Sequence, residues 1–502
     1  MTRKFLFCIL ILFSVTLTAK TKNGNPMKES LVLLPVKNDP TVSFKIWFKA
    51  GSQNDPRGKE GLAYITARLI SEGATKNNSY EQILEKLFPL ASAYSASAST
   101  EMTVFSGRVH KDNLEVYYPL FLDGILHPAF SPEDFNRIKD ETLNYLTTTL
   151  KYSSDEELGK AVLYQYIFKD TPYGHIEQGT ISGVKSITLD DVRNFYNRYF
   201  NRNNFVIGLA GGYSKKIAER LQKDLQKLPE GSPQPAPEIN YEPIHGLNVT
   251  MINKDAPATA FSFGFPIDII RGEKDWYALA VANSWLGEHR NSSSHLYQVI
   301  REARGLNYGD YSYIENFPNG GQRQMPPVNE ARRRQIFEVW IRPVPNETRH
   351  FVLRAAMREL KNFIDKGLTP EQFELTRKFL RNYVLHYAPE TEMRLGYALD
   401  DRFYGIQGTH LETFRKMMDQ LTVEDVNNAI KKYLNYDNMK VAIVTKDAEG
   451  FKQALEKNTP SPITYSTPKS DKVYEEDKVI QDYKLNIPKE NIRITNLEEL
   501  FR

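Results

Sequence analysis

Arg301 and Tyr308 are a guanidinium and a phenol seven residues apart, with Gly305-Leu306 between them. Both are hydrogen-bond donors, able to stabilise negative charge that develops on a carbonyl oxygen. The stretch from His295 to Tyr313, HLYQVIREARGLNYGDYSY, predicts a helix with Leu296, Val299 and Ile300 as its buried stripe. Gly305 would end that helix, and a following strand would carry Tyr308. Arg304 is a second cation in the same stretch, only four residues before Tyr308. Other chemistries are poorly supplied. The nine histidines include no pair at i+3 or i+4, the spacing that sets two ligands on one helix face. His289 and His295, with Glu288 beside them, come nearest to a cluster. A metal needs three converging ligands, so these read as polar residues around the Asn291-Ser292-Ser293-Ser294 loop. The single cysteine, Cys8, lies in an apolar leader, and no Gly-x-Ser-x-Gly elbow offers a nucleophilic serine.

The elements that must position these groups belong to a chain of 502 residues, 41% hydrophobic and 25% charged, which is enough for more than one core. Residues 1–19 read as a cleaved secretory signal: Arg3 and Lys4, the apolar run Phe5 to Leu17, then Thr18-Ala19. The mature chain, expected to be periplasmic or secreted, would hold no cysteine, which excludes disulfides and thiolate-bound metals. No other segment suits a membrane span, and a formal net charge of +3 gives no case for nucleic acid. Pro229, Pro233, Pro235, Pro237 and Pro243 mark residues 229–243 as a linker. It separates a domain at 20–228 from one at 244–457, and residues 458–502 remain as an extended arm.

The two domains repeat one another. Ile187 to Ile207 and Leu421 to Val441 share seven of 21 positions, among them Asp191-Val192 with Asp425-Val426 and Asn204 with Asn438. Ser131-Pro132-Glu133-Asp134-Phe135 and Thr369-Pro370-Glu371-Gln372-Phe373 form a second pair at nearly the same offset. Val42, Phe44, Ile46 and Phe48 alternate as in a strand, whereas Leu62, Ile65 and Leu69 recur at helical spacing. Ser131, Thr369, Thr188 and Thr422 stand at the starts of helices as N-caps. The expectation is α+β: two homologous domains, each a sheet flanked by helices.

Gly51 to Thr75, GSQNDPRGKEGLAYITARLISEGAT, resembles the zinc-binding start of the pitrilysin (insulin-degrading, insulinase) metallopeptidase family. In that family the helix carries H-x-x-E-H, two zinc-binding histidines and a glutamate that activates water. Here the three places hold Tyr64, Ala67 and Arg68, while Gly51-Ser52, Asp55, Gly58, Gly61-Leu62-Ala63 and Gly73 remain. The place of the family's third ligand, a glutamate on a later helix, falls at Tyr145, and Glu141 is the nearest carboxylate, one turn too early. The likeness extends over residues 30 to 450 and implies the family's two-domain architecture, half of a clam shell. It also implies a role for Arg301 and Tyr308, which match the arginine and tyrosine that face the zinc across the substrate.

Ser95, Ala96 and Ser97 fall in Ser95 to Phe105, which resembles the family's edge strand, where an extended peptide pairs through its backbone. Arg332-Arg333-Arg334 reads as a solvated, aggregation-blocking edge, and the apolar residues of the arm suggest that it lies over another surface, a partner's included. The resemblance implies a subunit without a metal or other cofactor of its own. It would pair as a heterodimer with a zinc-bearing peptidase of the same family and act on a peptide substrate. The competing expectation is a structural or peptide-binding protein that keeps only the fold.

Overall fold

A computed structural model describes residues 30–502, so the signal read at residues 1–19 lies outside the described residues. Five strands, β1 (Leu31–Pro35), β2 (Thr41–Phe48), β3 (Ala93–Ala98), β4 (Thr103–His110) and β5 (Phe205–Gly211), form one sheet in the order β1-β5-β2-β4-β3. Six more, β6 (Leu247–Asn253), β7 (Ala258–Ile267), β8 (Asp310–Tyr313), β9 (Gln335–Pro345), β10 (Met439–Thr445) and β11 (Ile492–Asn496), form a second in the order β11-β6-β10-β7-β9-β8. Without β11 the two orders are the same. β1 runs parallel to β5 as β6 does to β10, β11 is also parallel to β6, and the remaining pairs of both sheets are antiparallel. The repeat in the sequence is a repeat of topology. In the first domain the helices that concern the site are α1 (Leu62–Glu72), α2 (Pro132–Asn144) and α3 (Asp155–Ile167). In the second they are α4 (Lys274–Gly287), α5 (Arg349–Lys366), α6 (Pro370–Tyr383) and α7 (Thr391–Tyr404), and α8 (Asp471–Gln481) follows in the C-terminal segment.

The caps act as their residue types require. Ser131 and Thr369 accept from the third backbone N–H of α2 and α6, each with proline at the first helical position. Thr188 and Thr422 close reciprocal boxes with Asp191 and Asp425 on the helices Leu189–Tyr199 and Val423–Tyr433. Each cap contributes about 1 kcal/mol.

β2 departs from its alternating pattern. Val42, Phe44, Ile46 and Phe48 pack on one face as expected, but Ser43, Lys45 and Trp47 on the other are also buried. The reason is α7, a helix of the second domain, which lies across β1, β2 and β5 and brings Glu392 to 3.9 Å from the Lys45 ammonium. Its counterpart in the repeat, α3, lies across β7, β9 and β10 of the other sheet. Each domain thus lends one helix to the other. Ala260, Ala442 and Val444 of the second sheet accordingly belong to the same core as Leu158 and Val162 of α3.

The arginine run joins the same seam. Arg332, far from being solvated, is fully buried with its guanidinium 5.1 to 5.7 Å from the ring centres of Tyr164, Phe168 and Tyr173. Arg333 donates to the buried Glu101 carboxylate at 2.9 Å and to Gln53 at 3.0 Å, both in the first domain. Arg334 faces Asp268 at 3.3 Å. Residues 229–246 cross between the domains with no regular element. The segment 458–502 contains α8 and β11, and it lies on this chain's own domains. β11 extends the second sheet beside β6, and Leu497, Leu500 and Phe501 then enter the first domain's core, where the Ile181 N–H donates to the Phe501 carbonyl at 2.6 Å.

Candidate functional site

α1 and α2 bring together the residues that stand where the resemblance would put a metal. Leu62, Ile65 and Leu69 pin α1 to the core, so the opposite face of the helix carries Tyr64 and Arg68. The Arg68 Nε donates to both Glu72 carboxylate oxygens at 3.0 and 3.1 Å, and one Nη reaches Glu141 on α2 at 2.6 Å. Arg137 approaches the same Glu141 at 3.5 Å, and the Tyr64 ring lies 5.9 Å from the Arg68 guanidinium. Burial works against the charge of Arg68, but the bonds to Glu72 and Glu141 outweigh it and hold its pKa above the ordinary arginine value. Burial likewise opposes ionisation of Glu141, and Arg68 and Arg137 reverse that, keeping the carboxyl below its usual range. A fixed organic cation therefore neutralises the carboxylates that a metal would otherwise draw on.

The other places fit a metal no better. Ala67 is buried and has no donor atom, and Tyr145 has been pushed up to about 12 by burial, so it stays a neutral phenol. Among the described residues no three histidine, cysteine, aspartate or glutamate side chains converge into a metal-binding group. His289 bonds the Tyr313 hydroxyl at 2.8 Å and the Arg323 carbonyl at 2.9 Å, packed inside the domain rather than out on the loop. His295 stacks on Trp285 and bonds Glu359 at 2.7 Å.

The frame around the absent ligands survives for structural reasons. The Asp55 carboxylate accepts from the backbone N–H groups of Gly61 and Ala63, both at 2.7 Å, and so anchors the start of α1. Gly61 has φ of 105°, and a Cβ there would sit 2.7 Å from the Gln178 carbonyl oxygen. At Gly51 a Cβ would come within 2.3 Å of the Ser99 carbonyl oxygen. These residues hold a loop and a helix together whether or not a metal follows.

The candidate donors of the second domain are free to meet something from outside. Arg301 lies on a π-helical turn, Tyr297–Glu302, with Leu296 and Ile300 buried beneath it and Glu302 its charged neighbour at 3.6 Å. Gly305 ends the turn in the left-handed region, φ 72°. Tyr308 is 78% exposed, and no hydrogen bond or ion pair joins it to Arg301 or to α1. It stands in a turn ahead of β8, not in the strand. Asn307 bends the chain there by bonding Asp310 at 2.7 Å and the Gly309 carbonyl at 3.3 Å. Arg304 is unavailable: its fully buried guanidinium bonds Asp477 at 2.9 Å and Glu476 at 3.2 Å on α8.

β3 is one edge of the first sheet, paired only with β4, and Ser95 and Ser97 are exposed with Ala96 half-buried between them. α1 packs beside it, so an added strand would run past the altered helix. Between the domains lies a cavity of about 80 Å³ reached by Tyr145, Glu157, Lys160, Glu177 and Glu338. Burial raises Glu338 to about 7 despite Lys160 nearby. Sequence reasoning passed over this residue, although an acid inside the apolar run QIFEVWI of β9 was a signal.

The sequence profile described as Insulinase (Peptidase family M16) matches residues 31–175, and that described as Peptidase M16 inactive domain matches residues 186–380. An uncharacterized zinc protease of Rickettsia bellii is 25% identical over 370 residues, 72% of this chain and 82% of that protein. The non-peptidase homolog YmxG of Helicobacter pylori is 22% identical over 454 residues, 88% of this chain and 98% of that protein. A solved structure of a peptidase M16 inactive domain from Pseudomonas fluorescens matches with a TM-score of 0.72 at 23% identity, covering 83% of this chain and 95% of that one. A protease from Helicobacter pylori matches at 0.68 and 16%, with 83% and 96% covered. The α+β architecture is the one shared with these clam-shell peptidase folds.

Proposed function

This chain belongs to the insulinase family, peptidase family M16, as an inactive, peptidase-like member, and we propose that it completes the active site of a zinc-bearing partner of the same family. The observation that carries the reading is a contrast. The metal positions are filled by an ion-paired arginine, whereas among the described residues Arg301 has only its neighbour Glu302 within ion-pair range, at 3.6 Å, and Tyr308 is exposed. In the proposed heterodimer the partner's zinc supplies the activated water and polarises the scissile carbonyl. This chain's part is to donate hydrogen bonds from Arg301 and Tyr308 to the carbonyl oxygen as charge builds on it, and to offer β3, at Ser95 to Ser97, as an edge along which the peptide extends. The leader at residues 1–19 supports an exported, periplasmic or secreted setting for the pair.

The test is reconstitution. The isolated chain should hold no zinc and cleave no peptide, and mixing it with a zinc-bearing family member from the same source should produce peptidase activity. Arg301→Ala and Tyr308→Phe should each lower kcat of the mixture by about a hundredfold while leaving the melting temperature unchanged, since both side chains are solvent-accessible. No gain on mixing, or full activity with both variants, would refute the proposal. The name of the Helicobacter relative, a non-peptidase homolog, favours a second reading in which the fold binds peptides or partners without catalysis. That reading predicts peptide binding by the isolated chain that Arg301→Ala does not alter.

A further inference from the structure

The second domain holds a pocket of about 90 Å³ that has no part in the chemistry proposed above. It is lined by the rings of Trp276, Tyr313, Tyr383, Tyr387, Tyr397 and Phe414, with Asn283 and Glu288 among its half-buried members. Its polar groups are only partly matched. Glu288 accepts from the Ser284 and Tyr387 hydroxyls and from the Asn291 side chain, but no lysine, arginine or histidine forms an ion pair with it among the described residues. Among the described residues the Tyr397 hydroxyl, on a residue 98% buried, and the Asn283 side-chain Oδ1 have no hydrogen-bond partner. Glu288 also follows directly on the last residue of α4, where the helix dipole is negative.

No nearby cation compensates. Arg271, which also lines the pocket, is taken by Glu315 through bonds of 3.0 and 2.7 Å and by Asp400 at 3.4 Å. His289 is committed to Tyr313 and Arg323, and His410 to the Tyr277 hydroxyl at 3.3 Å. An anion would meet Glu288 and the helix end. A neutral apolar guest would leave Glu288 without a counter-ion and the Asn283 Oδ1 and Tyr397 hydroxyl unpaired, at the cost that buried polar groups carry.

We propose that this pocket binds a primary ammonium on a short apolar stem, the stem against the aromatic rings and the ammonium donating to Glu288 and Asn283. Burial holds the free Glu288 carboxyl up to about 7, as befits a carboxylate waiting without a cation. An arriving ammonium would return it to the charged form. The stem and charge could come from a free alkylamine or from a lysine of a bound peptide. Outside the pocket Phe379 stacks on Tyr383 at 4.8 Å, and the exposed Leu375 continues the apolar track along α6.

The site is tested on the isolated full chain by calorimetry at pH 8, so its failure would leave the zinc-partner reading untouched. The probes are N-acetyl-lysine N-methylamide, its norleucine analogue as the neutral isostere, and n-butylamine. The lysine derivative should bind at least about tenfold more tightly than the norleucine one, and more weakly at pH 6 as Glu288 takes up a proton. Glu288→Gln should remove the preference, and Ala280→Leu, which narrows the pocket without changing charge, should remove binding, both with melting temperatures near that of the parent. Butylamine binding as well as the lysine derivative would assign a free amine; a lysine advantage would assign a peptide side chain. Equal binding of the lysine and norleucine compounds, or undiminished lysine binding by Glu288→Gln, would overturn the proposal.

Discussion

Replacing Glu338 by Gln should stabilise the protein, and only at the higher end of the pH range. Glu338 is 4% exposed in the middle of β9, one of its carboxylate oxygens has no hydrogen-bond partner, and Glu157 adds like charge. Desolvation lifts its pKa from the ordinary 4.5 to about 7, with Lys160 and Arg332 reducing the shift in part. The folded state thus binds a proton that the unfolded state has released between those two values. The stability that Glu338 permits is fully present below about pH 4.5 and is lost as pH rises through 7. The loss amounts to about 1.4 kcal/mol per pH unit and about 3 kcal/mol in all. Gln has nearly the shape of the protonated acid and cannot ionise. Urea denaturation of parent and variant at pH 5, 6, 7 and 8 should therefore show a gap that widens from a small value at pH 5 towards about 3 kcal/mol at pH 8. Other buried acids, Asp400 among them, titrate alike in both proteins and cancel in the difference. Parallel pH profiles for parent and variant would refute the reasoning.

Two further outcomes follow from the seams of the molecule. Arg304→Ala leaves the buried Asp477 without a counter-ion, with the Tyr465 hydroxyl still bonded to it, and should cost about 3 kcal/mol, seen as faster proteolysis within residues 461–490; unchanged protection there would count against the clamp. Arg333→Ala leaves Glu101 in the interior without its cation, held only by the backbone N–H of residue 333, Gln53 and the Tyr173 hydroxyl, and should lower stability by about 2 kcal/mol. Arg333→Lys should restore little of it in thermal melts, because a point charge cannot reproduce the fork.

Local chemistry was the readable part of the sequence. Ser131, Thr188, Thr369 and Thr422 cap helices with their own side chains, and the stripe Leu62, Ile65, Leu69 faces a core, because both effects act within a few residues. The Ser/Ala run could be placed as a strand at a sheet edge, and β3 occupies that edge. What escaped depends on partners far along the chain. An apolar stripe on α3 or α7 does not state whose sheet it will cover, and neither helix covers its own. Arg332 looked like a solvated charge because its cage, Tyr164, Phe168 and Tyr173, lies more than 150 residues upstream. Arg304 looked like a candidate donor because its carboxylates come about 170 residues later, on α8. The turn that takes Tyr308 out of β8 was nearer to hand, since Asn307-Tyr308-Gly309 carries both an asparagine and a glycine.

The exchange of α3 and α7 has a mechanical meaning. With each sheet roofed by a helix from across the connection, neither half owns its own lid, and a cut within residues 229–246 would yield two fragments that each bare a sheet face and seek the other. The proline-rich crossing is a strap around a closed unit, not an axle on which it swings. A shell that takes this chain as one half must therefore part along a rim outside it. In the proposed heterodimer, entry to the enclosed space is then a question of how two chains meet, and both halves of this one travel together.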